Sequence, residues 1–194
     1  MSGIGHNRGP ALGTNSWARH CWTRARAELF PTLPIEVVRG RVRRAAEIGL
    51  DYRTYAGIRA TTGHDLIAFL YSSNLLLMLR DAEADAARVA RLGAAGGIRH
   101  HLALAAHLPP EAALARLAAA GLRPHRSGPM PRLWDSPRRQ RALLDALRGP
   151  QGPGRVPAAQ VLLISETDIE HDWAAIGRLA GAVPAERFFA AAAR

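Results

Sequence analysis

Asp168, His171 and Asp172 recur at i, i+3 and i+4 spacing just after the apolar run 160–165, so on a helix they share one face. Mixed carboxylate and imidazole ligands in that pattern suit a divalent metal, and the carboxyl end of a strand is where open α/β sheets hold ligands. The same residues also read as helix punctuation: Thr167 with Glu170 spells a capping box, and acidic residues favour a helix N-terminus. The cap is the reading adopted, so no metal is expected. His100, His101 and His107 lack a fourth ligand at zinc spacing. Cys21 and His20 are neighbours that point apart on a helix. Ser72, Ser73 and Asn74 lack the Gly-x-Ser-x-Gly elbow. Gly3-x-Gly5 precedes no strand-to-helix turn, and the chain has no Walker loop. These patterns name no catalytic residue and no cofactor, and the expectation is a non-catalytic protein.

Charge offers a second route to function. All 26 basic residues are Arg, against 16 acids, for a formal net charge of +10. A strongly basic domain is the electrostatic footprint of a nucleic-acid binder. With no Lys, many Ala and 18 Gly, the excess also matches a GC-rich coding sequence. Its distribution is uneven: residues 1–60 hold ten Arg against four acids and 121–155 eight against two, while 61–120 balance and 156–194 are acidic. On one face those two blocks would meet several phosphates; on separate faces they would only solvate the surface.

The segment 41–58 carries Ala45, a small residue where two helices cross, Gly49 at a reversal, and Ile48, Leu50, Tyr55 and Ile58 around it. This resembles the helix-turn-helix of bacterial DNA-binding regulators. Arg44, at a normally apolar position, and Gly57, inside the second helix, depart from that pattern. The resemblance implies that Asp51, Tyr52, Arg53 and Ala56 face the groove while Arg39, Arg43 and Arg59 meet phosphates. A helix over 136–148 turns Arg138, Arg141 and Arg148 to its polar side, with Arg126, Arg132, Arg139 and Arg155 nearby; this block suits a nucleic-acid backbone or an acidic protein partner. The expected function is thus a nucleic-acid-associated regulatory or accessory protein. An adaptor binding another protein, and a metal-dependent enzyme using the 168–172 cluster, are the alternatives.

The elements that must position these residues point to an α-rich α/β fold. Helices are expected at 16–30, from Pro34 to about Gly49, and from Asp51 to Gly63, followed by a buried strand at 65–71. The segment 74–80 reads as the start of a helix, 83–92 as a helix, 98–107 as a doubtful strand, and 109–120 as a helix. Residues 123–135, with Pro124, Pro129 and Pro131, and 149–157 read as irregular connectors. A strand at 160–165, apolar throughout and so covered on both faces, precedes a helix at 167–179. This organisation gives a tail at 1–13, a helical unit at 14–63 and an α/β unit at 64–194. The tail has no apolar run and resembles leaders of small alphaproteobacterial cytoplasmic proteins. The run 66–79 is too short to span a bilayer, and one cysteine allows no intrachain disulfide. A cytoplasmic protein with no membrane contact is expected.

Overall fold

The computed structural model describes residues 33–78 and 83–190; the expected tail at 1–13 and helix at 16–30 lie outside them. The chain divides into two compact units, Met1–Arg39 and Gly40–Arg194. What is described of the first is the opening of helix α1 (Ile35–Glu47), where Arg39 pairs with Glu36 at 2.9 Å on an exposed surface.

The second unit is an α/β fold built on five parallel strands: β1 (Ala68–Ser72), β2 (Arg99–Leu104), β3 (Arg126–Pro129), β4 (Val161–Ser165) and β5 (Gly181–Pro184), in the order β3-β2-β1-β4-β5. Every residue of β1 and β4 is buried, which matches their continuously apolar sequences and requires cover on both faces. Strand alternation divides that cover into two cores. Phe69, Tyr71, Leu102, Leu162 and Ile164 pack with Ala45 of α1, Tyr55 of α2 (Tyr52–Thr62), α3 (Ala86–Gly93), α4 (Pro110–Ala119) and Phe188 of α8 (Ala185–Ala190). Ala68, Leu70, Ala103, Val161 and Leu163 pack on the other face with Leu144 and Leu147 of α5 (Pro137–Leu147) and with Trp173 of α7 (Trp173–Gly177). Residues 45–58 and the sheet therefore share one core.

The strand expected at 98–107 forms as β2, an interior strand. Other expectations need correction. The connector 123–135 contains β3, and Pro129 fits there because an edge strand leaves one row of amides unpaired. The residues described in 74–80 form turns instead of a helix, with Leu77 in a left-handed conformation (φ 55°), and α3 starts only where Asp85 caps it. The helix at 167–179 is two short pieces, α6 (Asp168–His171) and α7, and Arg178 ends the second at φ 51°. β5 and α8 were not anticipated, since Gly-Ala-Val-Pro is too short to show alternation. Gly49 does make the reversal between α1 and α2: its φ is +76°, and a Cβ there would meet Arg91 at 2.9 Å. Among the described residues no helix is long and apolar enough to cross a membrane.

Candidate functional site

β1 and β4 are neighbours whose following helices leave onto opposite faces, α3 into the first core and α7 into the second. That divergence is a topological switch point, and ligands of open α/β sheets bind outside the carboxyl ends of the strands there. Glu170 closes it from below. It is 2% exposed; one carboxylate oxygen accepts from Ser72 Oγ at 2.6 Å and Asn74 Nδ2 at 2.9 Å, and the other from the Glu166 amide at 2.8 Å. The Thr167 hydroxyl accepts from the Glu170 amide at 3.2 Å, so half of the expected capping box forms. The reciprocal half does not, because the Glu170 side chain ties the end of β4 to the end of β1.

Beside this clip lies a cleft of about 830 Å³ between the ends of β4 and β5, the first turns of α3, and α8. Arg88 spans its wall, bonded to Glu166 at 2.6 Å and to the Leu75 carbonyl at 2.7 Å, with its guanidinium over Phe189. Arg91 donates to the Gly49 carbonyl at 2.7 Å and lies over Phe188. Asp85, Glu166, Asp168 and Glu186 line the cleft against these two arginines, which makes it acidic in a chain of net charge +10. Buried Ser165 places its hydroxyl 3.1 Å from His171 Nδ1. Asp168, His171 and Asp172 thus sit at the sheet's carboxyl edge, as expected; among the described residues no group of three His, Cys, Asp or Glu side chains is arranged to hold a metal.

The basic residues are dispersed. Arg43, Arg53 and Arg59 ride on helices of the first core, and Arg138 and Arg141 on α5 of the second, so the sheet lies between these two groups. Arg43, Arg53 and Arg138 are exposed and Tyr52 is half-buried; Arg59 lies 3.8 Å from Asp65. Asp51 caps α2 as expected, accepting from the Thr54 amide at 2.8 Å and hydroxyl at 2.5 Å, with its side chain 40% exposed. Burial acts to raise its pKa, but those bonds and nearby Arg187 outweigh it and hold the carboxyl below its usual value. Contrary to expectation, Arg148 is not displayed on the polar side of α5. It is 8% exposed, donating to the Val156 carbonyl at 2.9 Å and to Asp145 at 2.5 Å, and Arg155 and Arg141 converge on the same carboxylate.

Three features were not singled out from the sequence: the Glu170 clip, the Arg88–Glu166 wall, and Trp134, which stands 77% exposed beside Leu133. Only the first had a local signal, the Thr-x-x-Glu pattern. Fold and site together define a doubly wound α/β protein with an acidic cleft next to its switch point, between the ends of β4 and β5. No protein-family model, curated protein or solved structure matches this chain.

Proposed function

We propose that this chain is a ligand-binding α/β protein whose site is the cleft beside the carboxyl ends of β4 and β5, and that the ligand is a small molecule bearing an amine or guanidine. The Glu170 clip carries the proposal. A carboxylate withdrawn from water is costly unless its lone pairs are met, and here it is met by Ser72, Asn74 and the amide of Glu166, which fixes the backbone of a residue that lines the cleft, a form of preorganisation. The ligand's charge follows from the lining. Arg88 and Arg91 are held by Glu166, Leu75 and Gly49, whereas Asp168 and Glu186 are exposed carboxylates that a cation offsets and an anion opposes. A dinucleotide fits poorly, since its pyrophosphate would approach a turn of Ser72, Ser73 and Asn74 backed by Glu170 in place of a glycine-rich loop.

This reading comes ahead of a regulatory DNA clamp because Arg43, Arg53 and Arg59 lie across the sheet from Arg138 and Arg141. A cytoplasmic setting, in keeping with a lone cysteine, belongs to the same proposal. Thermal melting against small amines and guanidines, with small carboxylates and phosphates as controls, tests it. A cation at a hundredfold its Kd adds about 2.7 kcal/mol, several degrees in Tm for a domain of this size. Asp168→Asn with Glu186→Gln should remove the shift, with only a small drop in the unliganded Tm because both acids stand in the first turn of a helix. No response to any cation, or an equal response in the double variant, refutes the proposal.

A further inference from the structure

Trp134 is a large aromatic held out in water by a braced loop. The indole is 77% exposed and Leu133 67% exposed, although the loop itself is firmly tied. Asp135 accepts from the Arg132 amide at 2.8 Å, buried Gln140 donates to the Arg132 and Asp135 carbonyls at 2.9 and 3.2 Å, and Ser136 caps the Arg139 amide at 3.3 Å. A slack loop would let the indole fold down onto apolar surface; this bracing prevents it. The surroundings are cationic. Arg132 lies over the indole, 5.8 Å from the ring centre. Arg138 and Arg139 occupy the first turn of α5, which holds no acid even though helix amides there favour negative charge. The nearby carboxylate, Asp135, is already engaged by the Arg132 amide and by Arg139 at 3.2 Å.

We propose that Trp134, with Arg132, Arg138 and Arg139, forms a stacking surface for single-stranded nucleic acid. An exposed aromatic face beside guanidinium groups suits unpaired bases and their phosphates. Duplex bases are already stacked and give the indole nothing to cover. An acidic peptide draws on the arginines alone and is indifferent to whether residue 134 is aromatic. The site is independent of the cleft and its ligand.

Anisotropy of a labelled short oligothymidine bound to the full chain tests the inference, with melting curves to verify that each surface variant is folded. Trp134→Leu should weaken binding about tenfold, while Trp134→Phe stays close to wild type. Arg138→Gln with Arg139→Gln should flatten the dependence of log affinity on log salt by about 1.4, since each phosphate contact on a single strand contributes about 0.7. Absence of binding by the wild type at low salt overturns the proposal, as does wild-type affinity in Trp134→Leu. Displacement by polyglutamate as effective as by unlabelled oligothymidine also overturns it, by assigning the loop to acidic peptides.

Discussion

Arg138 and Arg148 stand at opposite ends of one helix and meet opposite fates. Arg148, at the carboxyl end of α5, is drawn in by the Val156 carbonyl and Asp145. Arg138, in the first turn at the amino end, is exposed to solvent. Arg44 belongs with the first: its guanidinium gathers the Leu66 and Gly97 carbonyls, Asp65 and Glu47. Burial works against its charge, but the two carboxylates outweigh that and raise its pKa. What separates the groups is the local supply of acceptors. Net charge therefore overstates what is available to a partner.

Acid tests the interior most severely, because it forces cations where no acceptor waits. His100 and His101 are buried on β2, and the ring Nδ1 of each lacks a partner. Burial first, then His125, and for His101 also Arg126 and Arg99, depress both pKa values to about 4. The unfolded chain binds protons near pH 6.5 and the folded one does not, so stability is full above pH 6.5 and is lost as pH falls toward 4. The loss by pH 5 should be on the order of 4 kcal/mol for the pair. Urea unfolding at pH 7.5 and 5 measures it, and His100→Phe, packed against Phe69 and Tyr71, should remove about half. A flat profile would mean that the interior accepts charge, erasing the contrast.

Arg148→Ala comes next. It strips the Val156 carbonyl and leaves Asp145 to Arg155 and Arg141, at a cost of about 3 kcal/mol in urea unfolding. Arg44→Ala should cost less, about 1–2 kcal/mol, since its side chain keeps 19% exposure and water replaces some of its bonds. If either loss fell below about 0.5 kcal/mol, the ordinary range for surface substitutions, the inward arginines would be no different from the displayed ones.

Local sequence signals carried the fold only so far. β1 and β4 were legible because burial on both faces demands an unbroken apolar run, and Gly49 and Asp51 because turns and caps are decided within a few residues. β3 was hidden by Gly128 and Pro129, which an edge strand tolerates, and β2 by Ala and Leu, which suit either state. Thr167 and Glu170 gave the right local pattern, yet the partners that turn Glu170 into a clip lie on β1, far away in sequence. The fates of Arg44 and Arg148 also depend on acceptors that only the folded chain brings together.

The smallest expected effect has the opposite sign and sharpens the contrast most. Arg138 sits in the first turn of α5, where the helix dipole disfavours a cation, so Arg138→Glu should raise stability by about 0.5 kcal/mol. If the Trp134 surface binds single strands, the same substitution places a carboxylate beside the phosphates and should weaken oligothymidine binding well beyond the loss of one phosphate contact. Urea unfolding and anisotropy on one preparation give both numbers. A gain in stability with a loss of binding identifies Arg138 as a residue kept at a structurally unfavourable position for its contact with a partner. A loss of stability would show that Arg138 is tied into the fold as Arg148 is, and that displayed arginines cannot be recognised by the absence of acceptors.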